Sequence, residues 1–246
     1  MKKDTSKEVK AVVLTSGGLD SSTCIGMAIE EGREIFPLSI EYGQKHLREV
    51  KSISDVVVHY RTKTRNIEPY GFRSQVNPLK KVKIDLRAIG GSALTDDSIA
   101  VPEGRDESEM SESIPLTYVP ARNTIMLSIA LGYAEVIEAD EIWIGANDVD
   151  YSGYPDCRPE FLEAYETLAQ LATVRGIQGN PLKIRAPLLS LTKAEIIKKG
   201  NSIGVPYHLT WSCYNGANKA CSVCDSCTLR LKGFKEAGSE DPIDYQ

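Results

Sequence analysis

Val9-Lys10-Ala11-Val12-Val13-Leu14-Thr15 runs without a break into Ser16-Gly17-Gly18-Leu19-Asp20-Ser21-Ser22. The first stretch is apolar and rich in valine, as a buried strand is. The second is a tight turn, where two glycines let the backbone fold sharply and let a ligand approach it. Leu19 to Glu31 then reads as a helix stopped by Gly32. A helix starting there points its free N–H groups and its positive dipole end at the turn, which suits a phosphate or pyrophosphate. Ser16, Ser21 and Ser22 add hydroxyls. Asp20 is an odd neighbour for an anion unless a cation such as Mg²⁺ bridges them. The turn is not the kinase-type phosphate loop, because no Gly-Lys-Ser/Thr occurs, nor a dinucleotide fingerprint, because no Gly-x-Gly occurs.

Outward from this unit, strand-like and helix-like stretches alternate. Glu34–Ile40 is a second strand candidate, with Pro37 arguing against a central position. Lys81–Leu86 alternates Val82, Ile84 and Leu86 as a strand would. Asn123–Glu138 reads as a long buried helix, Glu141–Ala146 as a strand, and Pro159–Val174 as a helix with proline at a harmless first position. Lys183–Leu189 is a last extended segment. Thr192–Lys199 is a helix with Thr192 as N-cap and Glu195 three residues on, a capping box. Such alternation implies an α/β fold, a parallel sheet with helices on both faces. Ligands in such folds sit at the carboxyl ends of the strands. Residues 90–117, rich in Gly, Ser, Asp, Glu and Pro, read as a mobile loop, either a lid or a plain insertion.

With 246 residues, the chain fits one α/β domain or one domain with a small appendage. A hydrophobic share of 41% and a charged share of 26% describe a soluble globular protein. No apolar run is long enough to span a bilayer. The polar start Met1–Glu8 lacks the apolar middle of a signal peptide, so a cytoplasmic protein is expected. A net charge of −5 argues against a general nucleic-acid binder. Residues 61–87 carry eight Lys or Arg, and residues 96–113 carry seven Asp or Glu, which read as solvated loop regions.

Cys213, Cys221, Cys224 and Cys227 fall within 15 residues, while Cys24 and Cys157 stand apart. In a chain without a secretory signal, such a cluster points to metal rather than disulfides. Two overlapping Cys-x-x-Cys steps wrap one ion and Cys213 closes a tetrahedron, the pattern of a structural Zn²⁺ site. An iron–sulfur cluster uses the same ligands. A zinc-containing regulatory or RNA-binding protein is the rival class of function.

Three other strings sit where the chain leaves a strand or enters a helix: Val119-Pro120-Ala121-Arg122-Asn123, Asp150-Tyr151-Ser152-Gly153-Tyr154-Pro155-Asp156-Cys157-Arg158, and Ser190-Leu191-Thr192-Lys193-Ala194-Glu195. They can face one shared crevice. Cys157 on its own reads as a small buried residue rather than a nucleophile.

The Ser-Gly-Gly-Leu-Asp-Ser string resembles the PP-loop signature of ATP pyrophosphatases. With the three strings, Glu41-Tyr42-Gly43-Gln44-Lys45-His46 and the cysteine tail, most of residues 9–234 is similar to the 7-cyano-7-deazaguanine synthase family. Residues 51–81 depart from that pattern, which runs directly from helix to strand. The tail also lacks the glycine often found after its second cysteine, where Ser222 stands.

The resemblance implies a PP-loop catalytic domain over residues 9–205 and a zinc-binding region over residues 206–240. It implies the substrates 7-carboxy-7-deazaguanine, ammonia and ATP with Mg²⁺, and a product precursor to queuosine or archaeosine. Nucleotide contacts are expected from Thr15, Ser16, Gly17, Gly18, Leu19, Asp20, Ser21, Ser22, Thr23, Cys24 and Ile25. Ser16, Asp20, Ser21, Arg122 and Lys193 would be catalytic, with Asp20 at Mg²⁺ and the two cations balancing phosphate charge. Asp148, Asp150 and Asp156 are candidates to accept from a guanine-like edge, Tyr151 or Tyr154 to stack on it, and Arg158 to bind beside them. A homodimer is the expected assembly, without a stable nucleic-acid partner. Another PP-loop ligase or a tRNA thiolase is the alternative within enzymes.

Overall fold

The computed structural model describes residues 8–44, 47–68, 71–106, 109–110, 114–149, 154–215 and 218–246. The chain runs β1 (Lys10–Leu14), α1 (Leu19–Glu30), β2 (Glu34–Glu41), α2 (Leu47–Lys63), then a hairpin of β3 (Arg65–Glu68) and β4 (Gly71–Ser74). It continues through β5 (Lys80–Lys83), α3 (Arg122–Val136), β6 (Glu141–Trp143), α4 (Pro159–Ala172) and the single turn α5 (Val174–Ile177). It ends with β7 (Lys183–Arg185), α6 (Lys193–Ile203) and α7 (Asp225–Ala237). Residues 51–81, which depart from the direct helix-to-strand connection of the family pattern, therefore hold most of a helix and a hairpin.

The main sheet has the order β5-β2-β1-β6-β7 with every pairing parallel. Successive strands step outward from β1 to β2 and β5, then restart on its other side with β6. That reversal opens a crevice at the carboxyl ends of β1 and β6. β1 alternates its side chains between two cores, as a strand covered on both faces must. Ala11 and Val13 pack with Ile25, Ile35, Val56 and Ile196 beneath α1, α2 and α6. Val12 and Leu14 pack with Leu127, Ala130, Tyr165 and Leu182 beneath α3 and α4.

Pro37 does not keep β2 at an edge. β2 is an interior strand between β1 and β5. The backbone explains why. Ile35 donates to the Gln75 carbonyl and Glu41 accepts from Ile84, so the odd-numbered residues of β2 face the β5 side. The ladder to β5 begins only at Leu38 opposite Lys80, so the missing N–H of Pro37 falls in the gap before it.

Residues 90–117 are not a free loop where they are described. Ser92, Ala93, Leu94 and Thr95 are buried, and Leu94 packs with Tyr42, Leu86 and Val119. Further on, Glu103 bridges Cys224, Gly104 N–H donates to the Val223 carbonyl at 2.8 Å, and Arg105 pairs with Asp225. Among the described residues no helix is long and apolar enough to cross a membrane.

The C-terminal region is locked by a buried ion pair. Arg230 on α7 meets Asp241 at 2.6 Å, and each side chain is 2% exposed. Arg230 also donates to Thr210 Oγ1 and Ser212 Oγ, and Tyr245 donates its hydroxyl to Asp241. Removing one partner strands the other charge out of water. Asp241→Asn should therefore lower the unfolding free energy by about 3 kcal/mol in urea titrations, where a surface carboxylate would change it by under about 0.5 kcal/mol.

Candidate active site and metal centre

A cleft of about 250 Å³ opens at the carboxyl ends of β1, β2 and β6. Its floor is the turn from β1 into α1. Gly17 there has φ +81, and a Cβ on it would lie 2.6 Å from the Ile53 backbone nitrogen, so no side chain fits. The Gly17 carbonyl accepts from Trp211 N–H at 3.0 Å, which ties the C-terminal region to the turn. Ser16 Oγ and Ser21 Oγ stand 3.2 Å apart at the head of α1, beside its free N–H groups. Gly145, just after β6, comes within contact distance of Asp20 and Ser21, where a Cβ would meet their backbone at 3.2 Å.

Of the sequence-expected nucleotide contacts, Thr15, Ser16, Gly18, Leu19, Asp20 and Ser21 line the cleft. The others do not. Gly17 shapes the turn from behind, and Ser22 donates its hydroxyl back to the Gly18 carbonyl at 2.8 Å. Thr23 bonds Leu19 and Tyr207, while Cys24 and Ile25 lie wholly in the core. The helical period turns these positions away from the turn that precedes them.

Lys193 and Arg122 both reach the cleft. Lys193 opens α6 behind its capping box, with Thr192 and Glu195 bonded reciprocally. Its ammonium donates to both oxygens of Asp20, at 2.9 and 3.0 Å. Arg122 opens α3 after Ala121, which sits at φ 54 in the left-handed region. That conformation costs an alanine about 1 kcal/mol and turns the chain so that Arg122 enters the cleft. Its guanidinium lies 6.0 Å from the Tyr42 ring centre.

The substrate candidates divide. Tyr154 lines the cleft, its hydroxyl 2.9 Å from Thr117 Oγ1. Asp150 and Tyr151 lie outside the described residues. Asp156 is buried behind the wall, where it accepts from the Asn123 N–H at 2.9 Å and so caps α3. Asp148 and the exposed Arg158 are not part of the lining. The three strings do converge: Asn123 meets Asp156 and Cys157, and Arg122, Tyr154 and Lys193 line the one cleft.

Several lining residues are not among the expected site residues, although Tyr42 and Gln44 belong to the Glu41–His46 string that carries the resemblance. Tyr42 and Gln44 follow β2, Glu49 lies in the first turn of α2, and Trp211, Tyr214 and Arg230 come from the C-terminal region. Burial pushes the Glu49 carboxyl up to about 7, against the pull of the Arg122 charge. Burial and the neighbouring Asp156 charge hold the Cys157 thiol up to about 11, although Arg122 and Asn123 oppose them. It is a thiol at neutral pH. Burial and Asp20 raise Cys24 likewise.

The four clustered cysteines can hold a metal ion. Their sulfur atoms all lie within 4.8 Å of one another and all four residues are buried. A tetrahedral ion at about 2.3 Å from each sulfur sets the sulfurs about 3.8 Å apart; Cys221 Sγ and Cys227 Sγ are separated by 3.9 Å. Backbone N–H groups of Asn215, Cys221 and Cys224 point at these sulfurs from 3.3–3.4 Å, as they do to thiolates. Ser222, where a glycine is common, has φ 62. Glycine adopts that conformation freely, whereas serine does so at a cost of about 1 kcal/mol.

Comparison with known proteins fits this arrangement. Residues 10–238 match the family described as "Queuosine biosynthesis protein QueC". The 7-cyano-7-deazaguanine synthase of Anaeromyxobacter dehalogenans is 54% identical over 246 residues, covering 100% of this chain and 99% of that protein. That of Acetivibrio thermocellus is 51% identical over 236 residues, covering 96% and 97%. That of Picrophilus torridus is 53% identical over 237 residues, covering 96% and 92%. A match through nearly the whole chain, from the strand before the turn to the end of α7, places this protein in the QueC family of queuosine biosynthesis proteins.

Proposed function

We propose that this protein makes 7-cyano-7-deazaguanine from 7-carboxy-7-deazaguanine and ammonia, using ATP, with the cleft as its active site. One observation carries the reading: a phosphate-type turn, two cations and an aromatic wall share one cleft in a chain whose full-length relatives are named for that synthesis. The substrate carboxylate attacks the α-phosphorus of ATP and pyrophosphate leaves. Ammonia displaces AMP to give the amide. A second ATP adenylates the amide oxygen, and loss of AMP leaves the nitrile.

The residues act by position and charge. Ser16, Ser21 and the N–H groups at the head of α1 hold the pyrophosphate. Arg122 and Lys193 offset phosphate charge, and Lys193 also fixes the Asp20 carboxylate. Asp20 keeps lone pairs beyond those that Lys193 uses, and its oxygens are the hard donors Mg²⁺ prefers, so the donor set fits. Mg²⁺ arriving with ATP supplies further charge neutralisation there. Tyr154, Tyr42 and Tyr214 form the face for the deazapurine ring.

Zn²⁺ is the ion we assign to Cys213, Cys221, Cys224 and Cys227. Four thiolates leave no open position, so its role is to order residues 206–240 against the catalytic unit of residues 9–205. A thiolase reading is disfavoured, because Cys24 is buried in the core and Cys157 is held as a thiol.

Turnover should yield AMP and pyrophosphate, not ADP and phosphate. Given the 7-amido compound and ATP without ammonia, the protein should form the nitrile with one AMP per product; given the 7-carboxy compound under the same conditions, it should form neither amide nor nitrile. An amide that advances only with ammonia sinks the two-step scheme. Lys193→Met should cut kcat by about 100-fold, because Asp20 loses its partner and the phosphates lose a cation. Elemental analysis should find about one zinc per chain. Cys224→Ser should lose it and loosen the C-terminal region, while Cys24→Ser should keep it.

A further inference from the structure

Both halves of the proposed reaction release protons from nitrogen. In the first, the ammonia nitrogen bonds to the acyl carbon, the C–O bond breaks with its electron pair leaving on AMP, and the nitrogen sheds one proton. In the second, the amide oxygen bonds to the α-phosphorus, pyrophosphate departs, and the nitrogen sheds a proton. The C–O bond then breaks with its pair leaving on AMP. The pair of the last N–H becomes the third C–N bond as that proton leaves. A group in the cleft that accepts these protons and hands them to water would serve every step.

Resting on the synthase reading above, we infer that Glu49 is this proton acceptor. Its place supports the role. Glu49 stands in the first turn of α2, and its backbone lies against the turn at Gly17, where a Cβ would come 3.0 Å from its carbonyl oxygen. Glu49 lines the cleft that also holds Arg122 and Asp20, and the Arg122 charge acts on its carboxylate. Among the described residues no hydrogen bond engages its carboxylate, whereas both oxygens of Asp20 are held by Lys193. No histidine among the described residues lines the cleft. The charged and titratable groups among the described residues that bear on Glu49 are Arg122 from α3 and Tyr42 from the segment after β2. Burial raises its carboxyl to about 7 against the Arg122 attraction, so both protonation states are populated at neutral pH. A base with that balance takes a proton and gives it up within one turnover.

The test separates proton removal from adenylation. Exchange of labelled pyrophosphate into ATP, driven by the 7-carboxy compound without ammonia, reports adenylation alone. Glu49→Gln should keep that exchange within about threefold of wild type while nitrile formation from the amide falls by about 100-fold. The wild-type rate on the amide should rise with pH through about 7 as Glu49 loses its proton, and the variant should lack that rise. Wild-type nitrile formation by Glu49→Gln overturns the inference. So does an equal loss of exchange and nitrile formation, which would make Glu49 a holder of ATP or substrate. If Glu49→Gln does not fold, Glu49→Asp decides: it withdraws the carboxylate by one methylene and should slow nitrile formation more than exchange, and equal slowing overturns the inference. Wild-type protein without any exchange in the presence of the 7-carboxy compound sinks the synthase reading itself, and this inference with it.

Discussion

The close approach at Gly17 governs the molecule. The first strand must turn into the first helix within the four residues Thr15 to Gly18, and α2 presses its backbone onto the outside of that turn. Trp211 hydrogen-bonds to the same residue from the far end of the chain. Segments more than 150 positions apart in sequence thus meet on one peptide unit. Any side chain at Gly17 would push away α2, and with it the helix turn that brings Glu49 to the cleft. The glycine is therefore needed for packing around the turn as much as for the conformation of the turn.

A chain of contacts joins the cysteine cluster to the cleft. Cys224 precedes α7 and Cys227 lies within it, so the geometry around the sulfurs fixes where that helix starts. α7 packs against α6 so tightly that a Cβ on Gly233 would lie 2.4 Å from Lys193 Cγ. Lys193 in turn holds Asp20 at the head of α1. One turn earlier on the same side as Gly233, α7 supplies Arg230 and Leu229 to the cleft wall, and a further turn back it supplies Ser226. The acidic segment joins the same assembly through Glu103, Gly104 and Arg105. Ordering of the cysteines thus sets the position of a cleft wall, although no cysteine of the cluster lines the cleft.

The parts of the fold that were legible in the sequence rest on short-range physics. The Val9–Thr15 run, the glycine turn, the Thr192 capping box and the proline at the start of α4 each act within one turn or one strand. Each announced an element close to its observed bounds. Pro37 misled because its effect depends on a neighbour: the missing N–H matters only where a partner strand needs it, and β5 begins one residue later. The anchoring of residues 92–106 is likewise an outcome of tertiary contact rather than local pattern.

The candidate site shows the same division at finer scale. Ser16, Asp20, Ser21, Arg122 and Lys193 were readable because each sits at a helix start, where free N–H groups and strand ends collect ligands. Asp156 drew attention for the same reason, yet its carboxylate is engaged in capping α3. A short acid in a loop string serves a substrate or a helix terminus equally well, and only the three-dimensional placement separates the two. Glu49, Trp211 and Arg230 were unreadable for the opposite reason. Each belongs to an ordinary helix or loop and gains its character from distant partners: Glu49 from burial opposite Arg122, Trp211 from the Gly17 carbonyl, and Arg230 from Asp241. The cleft is assembled from strand ends, which sequence periodicity can place, and from walls brought in by long-range packing, which it cannot. Residues of the second kind set the electrostatics of the cleft, so its chemistry is less legible than its location.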